Sequence, residues 1–270
     1  MNRSLRVVTL NIHKGLSQFN RRMVIHELRE GLRALLRITK SDLAAVDEQT
    51  IGFRLAPRIN AAGRMQRADA GVELLLTDDP ERAEALAGEL DALNADRRHV
   101  ETRILFEAEA QVAQQGERAA YVLAGEGWHP GVVGIVASRI VERTNRPVVM
   151  LALDGERGTG SGRSIPGFDL LAGLDACAGH LLRHGGHRAA AGCTIAASEV
   201  EAFRQAFAAH AERVLRPEDL VRSERVDAVV GGDALGLDLA EELRALGPFG
   251  QQHPVPALLE FLPYRKRDGT

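Results

Sequence analysis

The feature that most constrains the fold is an alternation of short apolar runs and amphipathic helical patterns between residues 119 and 215. The runs AAYVLAG, PVVMLALD and AAAGCTIA have the length and apolar content of buried strands. Helical patterns begin at Pro130 and after Ser198, and the segment 167–186 indicates a further helix that glycines close. Strands that alternate with such helices predict an α/β domain with a mixed or largely parallel sheet flanked by helices.

A long helix is predicted immediately before this domain. Asp78 and Asp79 can cap its N-terminus, Pro80 suits its first turn, and apolar residues recur at helical spacing beyond Leu93. Because this charged helix lies between two glycine-rich regions, we interpret residues 77–115 as a connector between domains.

Composition excludes several classes of protein. No apolar run in the 270 residues approaches the roughly 18 to 20 needed to cross a bilayer, and the N-terminus lacks the apolar centre of a secretory signal. We therefore expect a cytoplasmic protein that does not contact membranes. The net charge of -3 gives no global attraction to nucleic acid, so any such site must be local. Cys177 and Cys193 lack metal-ligand spacing and are interpreted as core residues.

Two glycine-rich segments are candidates for anion binding. GTGSGRS, residues 158–164, combines unhindered backbone N–H groups with hydroxyls and Arg163, although a mobile hairpin explains it equally well. In HGGHRAAAGC, Gly185 and Gly186 are predicted to end a helix; a helix C-cap explains these glycines but not His187. Because both segments follow elements of one sheet, we expect Arg163 and His187 to point into one cleft that binds a phosphate-bearing ligand.

Two further segments allow alternative interpretations. Trp128 and His129 precede Pro130 at a strand-to-helix turn, which is typical either of a packed corner or of a base-stacking platform. Arg58, Asn60 and Arg64 lie in PRINAAGRM, which has little hydrophobic bulk and is interpreted as a phosphate clamp.

Six segments occur in an order and spacing that resemble the RecJ family of single-strand-specific exonucleases, in the DHH phosphoesterase superfamily. They are RINAAGRM, LLLTDDPERAEALAGELDALN, GWHPGVVGIVASRI, GSGRSIPGFDL, GGHRAAAG and LGPFGQQHPVPALLE, and the resemblance extends from about Gly31 to the C-terminus. It implies 5'-to-3' hydrolysis of single-stranded DNA in repair and recombination. It also implies a DHH domain that holds Mn²⁺ or Mg²⁺ and a DHH-associated domain that binds the DNA end.

The same resemblance implies roles for particular residues. Ser161 and Arg163, with Arg58 or Arg64, would hold the 5'-terminal phosphate, and His187 would lie near the scissile phosphate. The complete set of predicted substrate-binding residues is Arg58, Asn60, Arg64, Ser161, Gly162, Arg163, Ser164, Gly185, Gly186 and His187, with Trp128 and His129 as candidate stacking residues.

The resemblance also divides the chain and predicts what it lacks. Residues 36–76 correspond to the end of a DHH domain, 116–216 to the DHH-associated domain, and 217–270 to a linker and the start of an OB-fold that stops before the barrel closes. The family's Asp-x-Asp and Asp-His-His metal motifs do not occur in this sequence. We therefore predict no metal ligand, an inactive chain when alone, and a metal-binding domain that is supplied either by a second chain or by the parent protein.

The first 35 residues resemble a different family, the endonuclease/exonuclease/phosphatase hydrolases. There an asparagine equivalent to Asn11 lies at a metal-phosphate site, but the rest of that family's motifs have no match here. We interpret residues 31–35 as a junction, formed by fusion, recombination or faulty assembly. Three hypotheses follow: a RecJ-like fragment that retains DNA-end binding, a non-catalytic module for single-stranded ends, and a hydrolase of the second family.

Overall fold

A computed structural model of the chain describes residues 29–223, 225–250 and 253–260. These residues form two compact units. The first contains residues 29–62 and 67–92, and the second contains residues 63–66 and the described residues from 93 onward. The predicted strand at residues 5–12, and residues 1–28 of the segment that resembles the second hydrolase family, lie outside the described residues.

The first unit is helical. It contains α1 (Glu30–Ile38), most of α2 (Ala56–Met65), α3 (Asp69–Leu76) and the beginning of α4 (Pro80–Gln115). Helices α1 and α3 are closely packed, because a Cβ atom at Gly31 would lie 1.8 Å from the carbonyl oxygen of Leu74. The other face of α3 leaves apolar side chains exposed at Val72, Leu75 and Leu76. The core of this unit consists of Ala34, Leu35, Leu36, Leu55, Ala61, Ala62, Leu74, Ala83, Leu86, Ala87 and Leu90.

The predicted long connector helix is present as α4. Its 36 residues give a length of about 54 Å at 1.5 Å per residue. Pro80 is its first residue, and Oδ1 of Asp79 accepts hydrogen bonds from the backbone N–H groups of Glu81 and Arg82 at 2.9 and 3.3 Å. The capping residues recognised in the sequence therefore determine where the helix begins.

The second unit is built around a five-stranded sheet with the order β1–β2–β3–β5–β4. Its strands are β1 (Tyr121–Glu126), β2 (Val148–Asp154), β3 (Arg157–Arg163), β4 (Arg183–His187) and β5 (Ala190–Ala196). Strands β1 and β2 are parallel, and every other pair in this sheet is antiparallel. The predicted mixed sheet flanked by helices is confirmed, whereas the alternative of a largely parallel sheet is not.

Helices cover both faces of this sheet. Helix α5 (Pro130–Thr144) packs on β2 and β3, while α6 (Leu170–Ala176) and α7 (Val200–Val214) pack on the other face. Each face has its own apolar core. The core that includes α4 and α5 contains Ile104, Ala108, Tyr121, Leu123, Trp128, Val132, Val133, Val136, Ala137, Ile140, Val148, Met150 and Ala152. The other core includes Val149, Leu151, Phe168, Leu170, Leu174, Ile195, Phe203 and Phe207.

Two of the sequence-based assignments in this unit are wrong. Residues 158–163, predicted as an anion-binding loop, belong to the interior strand β3. The helix predicted over 167–186 ends at Ala176, and Gly185 and Gly186 lie in strand β4 instead of closing a helix. The glycines of β3 reflect close packing: a Cβ atom at Gly160 would lie 2.4 Å from Sγ of Cys193.

The outer edge of β1 is covered by side chains. The amide of Gln111 donates to the carbonyl of Ala124 at 2.7 Å and accepts from its N–H at 3.1 Å. The carbonyl of Val122 accepts from Gln115 and from Arg204. These contacts satisfy backbone groups that an edge strand would otherwise expose.

The C-terminal part of the second unit contains little regular structure. It comprises α8 (Leu237–Ala245) and two short parallel strands, β6 (Ala228–Val229) and β7 (Leu258–Leu259). In the described part of the chain, no helix is both long enough and apolar enough to span a membrane.

Candidate nucleic-acid interface

The predicted site residues of the sheet lie in rows across β3, β5 and β4. Arg163 pairs with Ala190, which pairs with His187, and Ser161 pairs with Gly192, which pairs with Gly185. Side chains of directly paired residues project from the same face of a sheet, so each row belongs to one surface. Arg163 and His187 are two strands apart, a distance of about 10 Å between their backbones.

This surface is the one on which α5 lies. Gly160 and Gly162 point to the opposite face, where added Cβ atoms would meet Cys193 and Leu170, so the intervening Ser161 and Arg163 point toward α5. At α5, a Cβ atom on Gly134 would lie 2.8 Å from Oγ of Ser161 and 3.0 Å from Nη2 of Arg163. The absence of a side chain at Gly134 therefore makes room for both groups.

Arg163 is half-buried and lies close to a second cation. Its Nη1 donates to Oγ of Ser161 at 3.1 Å and to the carbonyl of Gly162 at 2.7 Å. Burial, and secondarily the positive charge of Arg64, lower the pKa of the Arg163 guanidinium. Within the described residues, no carboxylate forms an ion pair with Arg163. Two like charges beside a hydroxyl, with no counter-ion, constitute a site suited to an anion.

Arg64 is held in this position by its backbone. An added Cβ atom at Gly131, in the first turn of α5, would lie 2.1 Å from the carbonyl oxygen of Arg64. The Arg64 side chain is exposed, and its Nη1 donates a long 3.4 Å hydrogen bond to the carbonyl of Gly131. Of the three polar residues predicted in PRINAAGRM, Arg64 is the one that the second unit places beside Arg163.

A buried ion-pair network lies behind Arg64. Glu101 of α4 is 4% exposed and pairs with Arg97 on its own helix and with Arg139 on α5. Arg97 also donates to the amide oxygen of Asn94 at 2.9 Å. Burial lowers the pKa of Arg97, and the positive charge of Arg64 acts in the same direction. The network fixes α4 to α5 and keeps a third guanidinium close to the anion site.

The neighbouring strands β5 and β4 form an open floor. A Cβ atom added to Gly185 would meet no atom within 4 Å. A Cβ atom added to Gly192 would meet only the carbonyl oxygen of Gly160, at 3.4 Å. Gly186 has a φ of 147° and would place a Cβ atom 2.5 Å from Cα of Ala191, so no other residue fits there without strain. His187, at the end of β4, is exposed, and its Nδ1 accepts a weak 3.4 Å hydrogen bond from the N–H of Ala189.

Other predicted site residues have structural partners. Nε of Arg58 forms a 2.7 Å ion pair with Asp91 in the first unit, where Asn60 is exposed on α2. The hydroxyl of Ser164 donates to the carbonyl of Phe168 at 2.9 Å, and Gly162 is buried between β2 and α6. Ser164 and Gly162 therefore shape the turn and the sheet, and neither presents a group to this surface.

The stacking interpretation of Trp128 needs correction. Its ring is 3% exposed and is packed so closely on Gly125 that a Cβ atom there would lie 2.2 Å from it. Its Nε1 donates to Glu107 at 2.5 Å. His129 is the N-cap of α5, and its Nδ1 accepts from the N–H of Gly131 at 3.1 Å. Both residues form a packed corner, and a buried indole offers no face to a base.

The described residues do not supply a divalent-metal site. Across residues 29–223, 225–250 and 253–260, no group of three or more His, Cys, Asp and Glu side chains is arranged to hold a metal ion. Acidic side chains near the anion site are committed to cations, as Glu101 is to Arg97 and Arg139. A Mn²⁺ or Mg²⁺ ion therefore finds no fitting ligand set in this part of the molecule.

Sequence reasoning missed several residues of the surface. Arg183, Thr194 and Thr159 form a row parallel to those above, and all three have side chains on the same face. The signal for Arg183 was the period-two spacing of Arg183, Gly185 and His187, which becomes visible only if RHGGH is assigned to a strand. The role of Gly134 could not be predicted, because a glycine within a helix pattern does not indicate which side chains pack against it.

Comparison with known proteins agrees with this architecture. Residues 116–213 match the DHHA1 domain family. A curated relative, the single-stranded-DNA-specific exonuclease RecJ of Bacillus subtilis, is 42% identical over 234 residues, which cover 86% of this chain and 30% of the relative. RecJ of Escherichia coli is 39% identical over 240 residues, which cover 84% of this chain and 41% of that relative. The chain spans between 30% and 44% of the length of the curated relatives it matches.

Solved structures give the same result. The crystal structure of Thermus thermophilus RecJ in complex with Mg²⁺ matches with a TM-score of 0.75 and 37% identity, covering 84% of this chain and 35% of that one. The Mn²⁺ complex of the same protein matches with a TM-score of 0.74. The sheet and its helices are therefore similar to a DHHA1 domain, which residues 116–213 match. Most of this chain is similar to part of RecJ, which confirms the resemblance recognised in the sequence.

Proposed function

We propose that this chain is the substrate-binding part of a RecJ-like 5'-to-3' exonuclease specific for single-stranded DNA in repair and recombination. The observation that carries the proposal is the uncompensated pair Arg64 and Arg163 beside the hydroxyl of Ser161. A phosphate bound there would offset the burial of Arg163 and the repulsion between the two cations. The relatives' description as single-stranded-DNA-specific exonucleases supports DNA as the ligand.

In this proposal the 5'-terminal phosphate is bound by Ser161, Arg163 and Arg64. The backbone of the terminal nucleotide lies over the open floor around Gly185 and Gly192, where absent side chains permit close approach. His187 lies near the scissile phosphate at the far end of the same row. Phosphate contacts of this kind position a strand but do not distinguish DNA from RNA.

The proposed domain assignment follows the resemblance. Residues 36–76 are the end of a DHH domain, 77–115 the connector, 116–216 the DHH-associated domain, and 217–270 a linker and the start of an OB-fold. Metal-dependent hydrolysis requires Mn²⁺ or Mg²⁺ ligands from outside the described residues, either from a second chain or from a further part of the same protein. A cytoplasmic location would suit this role.

The second candidate is a non-catalytic module that binds single-stranded 5' ends. It is favoured by one observation, that the described residues contain no group of three or more metal-ligating side chains. Phosphate contacts alone suffice for such binding, which weakens as salt concentration rises.

The decisive experiment incubates the 270-residue chain with 5'-labelled single-stranded oligonucleotide and Mn²⁺ and measures complex formation together with mononucleotide release. We expect a chelator-insensitive complex and no release, because binding relies on guanidinium groups. Chelator-sensitive release of mononucleotides would instead reveal a metal site in this chain, and loss of binding on chelation would contradict the guanidinium-based site.

End recognition is tested with Arg163→Ala. Because the guanidinium would pair with the terminal charge, we expect a larger loss of affinity for a 5'-phosphorylated oligonucleotide than for its 5'-hydroxyl form. Arg98→Ala, at an exposed position on α4, is the matched control. Equal losses for both ligands would exclude recognition of the 5' phosphate by Arg163.

His187→Ala tests the floor independently of Arg163. His187 is exposed, so its removal should weaken binding while the thermal unfolding temperature remains unchanged. If this variant instead unfolds at a clearly lower temperature, the histidine has a structural role.

A further inference from the structure

The sheet surface that carries Arg163 and His187 continues toward the other ends of the same strands. A further row consists of Thr159 on β3, Thr194 on β5 and Arg183 on β4. It lies two residues along each strand from the row that contains Ser161. We call these three residues the Arg183 row. Its members project from the same face as Arg163, because strand side chains alternate with a period of two.

The positions of the neighbouring residues confirm this orientation. On β4, His184 points to the opposite face, where its Nε2 contacts Asp175 of α6 at 2.8 Å. On β5, Cys193 and Ile195 are buried in the opposite core, which leaves Thr194 on the open face. Arg183 is exposed and, within the described residues, forms no ion pair with a carboxylate. Its charge is therefore available to a ligand on this surface.

On strands β3, β5 and β4, the charged residues of this face are all cationic. No Asp or Glu lies on this face of the three strands; Asp154 of the neighbouring β2 pairs with Arg157 at one border, and Asp175 lies on the other side of the sheet. The surface consists of Arg157, Thr159, Ser161, Arg163, Arg183, Gly185, His187, Ala190, Gly192, Thr194 and Ala196. Such a set of cations, hydroxyls and small residues fits a polyanion backbone and includes no large apolar side chain for a protein partner.

The Arg183 row lies four residues along the strands from the row of Arg163 and His187, which corresponds to about 13 Å. The residues between the two rows are Ser161, Gly192 and Gly185. Because these side chains are small or absent, a nucleic-acid backbone could run from one row to the other in close contact with the sheet. We propose that Arg183, with the hydroxyls of Thr159 and Thr194, binds a further backbone phosphate of the nucleic acid, on the 3' side of the scissile phosphate. This inference rests on the proposed function, because the proposed site for the 5'-terminal phosphate fixes the direction in which the nucleic acid runs over the sheet.

The test uses ligands of two lengths and the variant Arg183→Gln in the complete 270-residue chain. The ligands are a 5'-phosphorylated dinucleotide and a 5'-phosphorylated single-stranded 12-mer, each competed against a labelled 12-mer. We expect Arg183→Gln to weaken 12-mer binding about tenfold and leave dinucleotide binding unchanged, because only the longer strand reaches Arg183. The dependence of 12-mer affinity on salt should fall by about one phosphate contact.

Two further variants make the result specific. Arg183→Lys keeps the positive charge and should retain most of the 12-mer affinity, whereas Arg98→Gln removes an exposed charge on α4 and should have little effect. The proposal is overturned if Arg183→Gln weakens 12-mer binding no more than Arg98→Gln, or if it weakens the dinucleotide equally. Arg163→Gln distinguishes failure of the proposed function from failure of this inference. If this variant binds both the dinucleotide and the 12-mer with unchanged affinity, the proposed site for the 5' phosphate is wrong.

Discussion

At the residue scale, the proposed anion site depends on positions without side chains as much as on its charged groups. Gly131 admits the backbone of Arg64, and Gly134 admits the guanidinium of Arg163 and the hydroxyl of Ser161. The family motifs allowed Ser161, Arg163 and Arg64 to be named from the sequence. They did not show whether Trp128 is a core residue or a base-stacking residue, because an aromatic side chain at a turn is compatible with both. The structure shows that its ring is buried.

Gly134→Ala should impair binding without unfolding the protein. The new methyl group would displace Nη2 of Arg163 and Oγ of Ser161, which are side-chain atoms able to move, while alanine favours the helix. We expect weaker binding of 5'-phosphorylated oligonucleotide, measured by fluorescence anisotropy, at an unchanged or slightly higher Tm. Gly88→Ala, where α4 has open space, is the matched control and should leave affinity intact. Unchanged affinity in Gly134→Ala would show that Arg163 does not need its present position.

His210 gives a pH-dependent contribution to stability. It packs edge-on against Phe168 at 5.9 Å, and burial, together with the charge of Arg213, lowers its pKa in the folded state. A lowered pKa means that the unfolded chain binds the proton more readily, so the contribution is present above about pH 6.5 and is lost as the pH falls.

We therefore expect the wild-type chain to lose more unfolding free energy than His210→Gln between pH 7.5 and 5.5. Chemical denaturation at both pH values measures the difference. His180 and His184, which contact Glu199 and Asp175, remain in both proteins, so the comparison isolates His210. Parallel pH profiles for the two proteins would contradict the assignment.

At the scale of elements, helices with caps were predictable and strands rich in glycine were not. Asp79 and Pro80 identified the start of α4, and Pro130 that of α5. Strand β3 has the sequence RGTGSGR, whose glycines favour a loop in isolation. They are compatible with a strand here because Cys193, Leu151 and Leu170 occupy the space that their side chains would fill, which only tertiary structure reveals.

Gly160 and Gly185 should respond oppositely to alanine. At Gly160 a methyl group would lie 2.4 Å from Sγ of Cys193 and 2.7 Å from Cδ2 of Leu151, so Gly160→Ala should cost about 1–3 kcal/mol of unfolding free energy. Gly185→Ala meets open space, so it should leave stability nearly unchanged and weaken oligonucleotide binding, because the methyl group raises the floor. Denaturant titration and binding assays of the two variants check this, and equal stability losses would contradict it.

At the scale of the whole molecule, each of the two compact units has core residues of its own, which predicts two cooperative units. The core around Leu74 lies in the first unit, and the core around Phe203 lies in the second. The first unit leaves Val72, Leu75 and Leu76 exposed on α3, whereas in the second unit both faces of strand β2 are buried. Sequence reasoning could locate both regions but not their cores, since burial depends on partners distant in sequence.

Leu74→Ala and Phe203→Ala should therefore destabilise different parts of the molecule. Each removes a fully buried side chain and should cost about 2–5 kcal/mol within its own unit. Hydrogen exchange followed by mass spectrometry should show faster exchange in residues 29–62 for the first variant and in β1–β5 for the second. Equal acceleration of both regions by either variant would mean that the chain unfolds as a single unit.

The Gln111 amide that covers β1 gives the sheet two unlike edges. On that side, a neighbouring polypeptide finds its hydrogen-bonding positions already taken, whereas β4 pairs only with β5 and presents its outer backbone groups. Within the five-stranded sheet, an added strand would therefore pair with β4 rather than with β1. The same strand carries Arg183 and His187, so a bound oligonucleotide and a second polypeptide would compete for it. On the proposed function, nucleic acid would then reduce self-association during purification and storage.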